Sequence, residues 1–486
     1  MAHGLSVLLF STVAFSSVAT TQNQTLANCL QRGKTNDTII LPDSPTYNEA
    51  ASFTFNRRLL YQPAAIVYPN TAQDVQKYVK CAASSGVAVV ARSGGHSYGS
   101  YDLGGADGSL VVDLGNMTSV VVHDDGTAYA QTGNKLSTLA QQLWDQGKRS
   151  IPHGFVGTVG TGGHISFGGY GAWSRLHGLA QDRVIGAEVV LANGTLLTVS
   201  KDNHPDLFWA VRGAAPSFCI VTEWIFATLP TTSDVVPYVI TFPKNLTYEQ
   251  ISEIHQHWQD IVVAAPDQNW LATRVERDIS TPQDLVLTLR GWWFGTQESF
   301  NTYAANWTTL LSPGNLTSQA QDWYGGIIAP LSDEFPRQTL FAKSLMTPGP
   351  VGKAAWDSVA RYWTGPGRNT SASWWFETYS YGGAISRQGV DDTAYAHRDQ
   401  LFNYQMWVHT PEGTPLPSGS MPFLNNMYTA LEPNPQAAYP NYVDPTLTKA
   451  EWSHQYYGAH YKRLTKIKSA VDPENVFRFP QAVERG

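Results

Sequence analysis

His96 directly follows the pair Gly94-Gly95 inside the stretch ARSGGHSYGSYDLGG, which runs from Ala91 to Gly105. An imidazole offers a nitrogen that can act as nucleophile, base or ligand. Glycines let backbone pass close to another group, and successive N–H groups in a turn can converge on one anion. A second tract, GFVGTVGTGGHISFGGYG, covers residues 154–171 and holds eight glycines, with His164 inside it and His153 just before it. Both histidines also have a plain structural reading, as partners for backbone carbonyls. Two such tracts, each after a strand-like run, suit a long phosphate-bearing cofactor threaded between two parts of the chain. The spacing is neither GxGxxG entering a helix nor GxxxxGK[ST], so the nicotinamide fingerprint and the P-loop both fail. There is no GxSxG elbow and no His/carboxylate spacing for a metal, so none is expected.

Both tracts need elements to hold them. AAIVYP and VAVVA read as strands flanking a helix that begins at Ala72, with Thr71 as its cap and Asp74 in the reciprocal position. SLVVDL, SVVVH and TAYAQT are further strands, and DDG is the turn of the last pair. A helix from about Asn134 ends at Gly147. VIGAEVVLANGTLLTV reads as a hairpin turning at Asn193-Gly194. CIVTEWIFATLP closes the first region near Pro230. From about 235 to 455, polar helical windows alternate with strands such as DLVLTLRGWWF and LFNYQMWV. YYGAHYKRLTKIKSAV is a helical window near the end, and DPENVFRFPQAV follows it as an extended tail.

The chain has 486 residues, a net charge of -7 and 42% apolar content. That length predicts two large units. The acidic balance, without a dense basic run, excludes nucleic acid as a partner. The 16 Trp and 23 Tyr fit well-packed cores, and also a wide site for flat or sugar-like ligands. MAHGLSVLLFSTVAFSSVATTQ reads as a cleaved secretory signal over residues 1–20 with a weak basic start. No run is long enough to span a membrane. Export agrees with eight N-x-[ST] acceptors: Asn23, Asn36, Asn116, Asn193, Asn245, Asn306, Asn315 and Asn369. Cys29 and Cys81 can pair in an oxidising compartment, while Cys219 reads as a buried free thiol.

Several blocks together resemble the berberine-bridge-enzyme-like family of FAD-linked oxidases, of the vanillyl-alcohol-oxidase type, in a secreted, fungal form. ARSGGHSYGSYDLGG resembles its flavin loop. TVGTGGHISFGGYGAWSRLHGLAQDRVIGAEVVLANG resembles its second flavin segment. FWAVRGAAPSFCIVTEW, TAYAHRDQL, YPNY and DPENVFRFPQAV resemble later blocks in the same order. The resemblance implies an α+β fold. A two-part FAD-binding domain of the PCMH type (residues 21–234 and 456–486) would enclose a substrate domain (235–455) built on an antiparallel sheet covered by helices. It also implies cofactor-binding positions at Arg92, Ser93, Gly94, Gly95, His96, Ser97 and Tyr98. The second segment adds Val156, Gly157, Thr158, Gly160, Gly162, Gly163, His164, Gly168 and Gly169. Asn475 and Gln481 would pack near the flavin.

In that family the loop histidine is joined to the flavin 8α-methyl carbon, which implies the same for His96. Many relatives carry a second, cysteine tether where this chain has Val156, so a single link is expected. Val159 matches a gatekeeper whose small size admits O2, which favours an oxidase over a dehydrogenase. Tyr439 and Tyr442 match a tyrosine pair whose second member is the base. Tyr442 would then need a depressed pKa. Glu377, in WWFETYSYGG, falls near the position of an assisting carboxylate, with Tyr379 and Tyr381 as alternatives for that spot. The expected activity is oxidation of an alcohol, carbohydrate first, with O2 giving H2O2, by a monomer. Oxidative cyclisation or dehydrogenation of a secondary metabolite stays open, as does a non-catalytic secreted binder.

Overall fold

A computed structural model of the chain describes residues 21–32, 38–277, 284–331 and 336–486. The expected leader, residues 1–20, and the acceptor Asn36 lie outside them. Three principal sheets carry the α+β fold. In the first, Thr38–Ile40, Ala65–Tyr68, Leu110–Asp113 and Val89–Arg92 lie side by side. The last three run parallel. Parallel strands are covered on both faces, which is why they read as unbroken apolar runs.

The helix Ala72–Ser84 links Ala65–Tyr68 to Val89–Arg92. Its start is fixed as the sequence predicts: Thr71 accepts from the Asp74 N–H, and the Asp74 side chain accepts from the Thr71 N–H. Cys81, on this helix, is disulfide-bonded to Cys29 in the N-terminal helix 21–32. Leu26 and Leu30 of that helix are buried in the same core. The second sheet is antiparallel, in the order Val120–Val122, Thr127–Gln131, Cys219–Ala227, Val184–Leu191, Leu196–Ser200. Cys219 is a buried free thiol, as expected.

The third sheet has seven antiparallel strands. Its order is Asn315–Ser318, Val236–Thr241, Val286–Trp293, Asn269–Arg277, Ser373–Ser380, Phe402–Pro411, Gln338–Thr347. Side chains alternate across a strand. Trp374, Phe376, Tyr404, Met406 and Val275 face a core closed by the helices Tyr248–Ala264, Lys353–Thr364 and Ser420–Leu431. The intervening residues, Arg274, Arg290, Trp375, Glu377, Tyr379, Gln405 and Trp407, all line one large cavity on the opposite face. The helical window predicted from 456 is broken. Gly458, at φ 50°, ends one turn, and the helix resumes over Tyr461–Val471. The break leaves Tyr456 and Tyr457 on the cavity wall. Among the described residues, no helix is long and apolar enough to cross a membrane.

Candidate active site

The cavity encloses about 440 Å³ between the two glycine tracts, the open face of the seven-stranded sheet and the segment Tyr439–Val443. That is within the ~300–1,000 Å³ range of ligand pockets. The two tracts meet backbone to backbone. A Cβ added to Gly94 would stand 2.2 Å from the Gly160 nitrogen, and one on Gly160 would stand 2.1 Å from the Gly94 nitrogen. Both positions must therefore be glycine because the loops touch. Gly95 is glycine for another reason: its φ of 69° lies in the left-handed region.

Ser93, Gly94, Gly95, His96, Ser97 and Tyr98 all line the cavity. From Ser93 to Gly99, no backbone N–H donates to another described residue. Such a free row of donors suits a phosphate-bearing ligand. His96 stacks on Phe55 with ring centroids 4.6 Å apart and planes 13° apart. Burial, reinforced by Lys135, lowers its pKa to about 4, so the ring is neutral at physiological pH. A neutral imidazole has the free lone pair that a covalent bond to an electrophilic carbon needs.

From the second tract, Val156, Val159, Gly160, Gly163 and His164 line the cavity. His164 Nε2 accepts from the Gly154 N–H at 3.1 Å, and burial lowers its pKa to about 3. Gly157, Thr158, Gly162, Gly168 and Gly169 lie behind the lining rather than on it. They hold the loop: Gly157 O accepts from Ser137, the Gly162 N–H donates to Ser93 Oγ, and the Gly169 N–H donates to the Tyr439 hydroxyl. Gln481 lines the cavity and donates to the Asp444 carbonyl.

The side chains of two expected cofactor residues lie elsewhere. Arg92 is fully buried, paired with Asp113 at 2.5 Å and donating to the carbonyls of Ala50 and Phe53. All its donors are directed into the first sheet and its flank. Asn475 sits at φ 54° in the turn after the last helix, on a surface recess lined by Pro473 and Arg485. Both follow from position: one ends a central strand, the other closes a C-terminal turn.

Tyr439 and Tyr442 both reach the cavity, with ring centroids 4.9 Å apart, edge to face. Tyr442 stacks on Tyr98 at 5.9 Å. No described residue makes a hydrogen bond to its hydroxyl. The expected depression of its pKa is absent. Burial pushes the Tyr442 phenol well above the ordinary value, and Tyr98, Tyr439, Tyr170 and Glu377 push the same way.

Glu377 is buried on the cavity wall. Cross-strand pairing sets it opposite Arg274 on one side and Gln405 on the other. It accepts from Arg290 at 3.0 Å and from Arg274 at 3.4 Å. Burial opposes its charge, but Arg290, Arg274 and the Tyr379 hydroxyl together outweigh burial and hold the carboxyl below its ordinary value. The residue nearer Tyr442 is Tyr379, at a ring distance of 6.5 Å, and Tyr379 donates its hydroxyl to Glu377. Tyr381, the other alternative, does not line the cavity; it packs on Tyr170 at 5.1 Å and bonds Tyr395 at 2.5 Å. Gln405 Nε2 donates to the Tyr98 hydroxyl at 2.8 Å.

Trp375 and Trp407 stack at 5.0 Å and 12° and complete an aromatic floor with Tyr98. Sequence reasoning missed these tryptophans, Phe55, Gln405 and both arginines. Alternation from Glu377 gives Trp375 and Tyr379. The remainder depend on strand register or loop packing, which no local pattern encodes.

Residues 63–200 match a family model described as FAD binding domain, and residues 438–484 match one described as berberine and berberine like. Xylooligosaccharide oxidase of Thermothelomyces thermophilus is 34% identical over 99% of this chain and 98% of that protein. Chitooligosaccharide oxidase of Gibberella zeae is 31% identical over the same shares. A solved chitooligosaccharide oxidase superposes with a TM-score of 0.88 at 29% identity, covering 95% of this chain and all of that one. A glucooligosaccharide oxidase from Acremonium strictum, 31% identical with a TM-score of 0.85 over 95% of this chain and 99% of its own, is described as carrying 6-S-cysteinyl, 8α-N1-histidyl FAD. The free amide row and the cavity that it borders fit an FAD. With this identity over nearly the full length, the chain belongs to the berberine-bridge-enzyme-like family of FAD-linked oxidoreductases.

Proposed function

We propose that the protein is a secreted sugar oxidase whose FAD is held by one covalent bond, through His96. The observation that carries this reading is the aromatic-floored cavity that joins the His96 loop to Tyr442. Bound there, the flavin supplies hydride acceptance from a carbinol carbon and return of both electrons to O2 as H2O2. The amides of Ser93 to Gly99 would hold its phosphates. Valine forms no thioether, so Val156 leaves His96 as the only tether. Val159 leaves room for O2. Trp375, Trp407 and Tyr98 offer ring faces to a sugar. Tyr442 binds the substrate hydroxyl and, as phenolate, takes its proton when the hydride leaves. Secretion is supported by the Cys29–Cys81 bond and by the exposure of Asn23, Asn116, Asn193, Asn245, Asn306, Asn315 and Asn369.

The test begins with acid precipitation of the purified protein. The yellow colour should stay in the pellet, and peptide mapping should place it on His96 alone. Peroxide should then form with mono- and oligosaccharides. Colour released to the supernatant would refute the tether. Peroxide or a new ring formed only with phenolic or alkaloid alcohols would favour the secondary-metabolite reading, which the missing second tether also suits.

A further inference from the structure

The hydroxyl of Tyr442 anchors nothing, so the place of this side chain depends on its ring contacts and on the backbone that carries it. That backbone is gripped at two points by neighbouring residues of one strand. Gln338–Thr347 is the edge strand of the seven-stranded sheet. Ser344 Oγ accepts from the Tyr439 N–H at 2.9 Å. Lys343 Nζ donates to the Asp444 carboxylate at 2.5 Å. Consecutive side chains of a strand point to opposite faces. Ser344 pairs with Gln405, on the cavity face, and Lys343 with Met406, on the face covered by helices. The segment from Tyr439 to Asp444 therefore crosses the sheet edge, and Tyr442 lies between the two grips. The second grip has the more contacts. Both charges are buried, Asp444 at 3% exposure and Lys343 at 8%. The ammonium lies 4.9 Å from the centre of the Tyr428 ring. The other carboxylate oxygen accepts from the Thr446 N–H and hydroxyl. The Asp444 N–H donates to the Tyr456 hydroxyl, and its carbonyl accepts from Gln481. Asp444 thus ties the seven-stranded sheet to two parts of the C-terminal return, two residues beyond Tyr442. Neither Asp444 nor Lys343 lines the cavity. A buried ion pair adds little net stability, because desolvation offsets its attraction. It is a strong geometric constraint, because either charge left alone is costly.

We propose that Lys343, Ser344 and Asp444 are positioning residues, which together clasp the segment that carries Tyr442 and set where its phenol stands. This rests on the reading of Tyr442 as the base of a sugar oxidase.

The test uses Lys343→Met/Asp444→Asn, which removes both charges at once and keeps the oxygen that accepts from Thr446. Its melting temperature should stay close to that of the parent, and its flavin absorbance should be retained. Turnover is measured as peroxide from whichever of cellobiose, xylobiose and chitobiose the parent oxidises fastest. The kcat should fall about ten- to a hundredfold with KM little changed, since a displacement of about 1 Å has effects of that order. Tyr442→Phe is then made in both backgrounds. It should cost at least about tenfold less in the variant, because residues that act through one another are not additive. A crystal structure of the variant should show the Tyr442 ring moved off its stack on Tyr98. Ser344→Ala loosens the other grip with a smaller change and should show the same coupling, which decides the matter if the double variant does not fold. Parent kcat in both variants, losses that simply add to that of Tyr442→Phe, or an unmoved ring overturns the inference. If the parent oxidises none of the sugars, or loses nothing with Tyr442→Phe, while the ring still moves, the clasp stands and the reading of Tyr442 as the base of a sugar oxidase falls.

Discussion

A buried phenol is a poor base until it loses its proton. At Tyr442 every neighbouring group and the burial itself disfavour the phenolate. Below a pKa, the ionised fraction grows about tenfold per pH unit. The rate kcat/KM should therefore climb with pH from 6 to 9 without levelling off at neutrality. Tyr442→Phe should lower kcat by about 10²–10⁴-fold and abolish the climb, as seen in peroxide assays over that range. The depressed pKa expected from the sequence assumed that a carboxylate would organise the phenol's hydrogen bonds. In the fold that carboxylate, Glu377, is engaged by Arg274, Arg290 and Tyr379. Which neighbour a side chain has chosen is a fact of register, and one strand read alone does not contain it.

Among the elements, the two glycine loops behave as one unit. Gly160 has an ordinary φ of −77°, so its requirement is purely for space. Gly160→Ala should force the loops apart and give protein without bound flavin, read as loss of absorbance near 450 nm relative to 280 nm, while far-UV circular dichroism stays close to the parent. Both loops were legible in the sequence as glycine clusters, but only the first follows a strand-like apolar run; the second follows the helix Leu136–Gly147 and the two-residue strand Arg149–Ser150. The capping pair Thr71/Asp74 and the turn at Asn193-Gly194 were likewise legible from local pattern. Arg92 was misplaced because its position in the motif says nothing of where a long side chain turns. The tail helix was drawn too long because its window runs through Gly458, whose positive φ ends the turn.

At the scale of the molecule, several histidines are folded as neutral rings. Burial lowers His164 to about 3 and His177, His255 and His397 each to about 4. Their unfolded value lies near 6.5. Between those limits the unfolded chain binds protons that the native chain refuses, so stability is full above pH 6.5 and falls as the pH drops toward 4. Asp102, raised to about 6 chiefly by burial, works in the opposite sense over part of that window. The melting temperature should still decline steadily below pH 6.5, with net proton uptake on unfolding measurable by calorimetry in buffers of different ionisation heat.

The cavity wall is also drawn from both ends of the chain, from His96 to Gln481. A ribosome adds roughly 5–20 residues per second, so the first loop waits about 20–80 s for its last partner. During that interval it has no finished pocket in which to retain a cofactor. Flavin capture therefore waits for the segment that carries Gln481, and its yield is a report on whether synthesis has passed that residue.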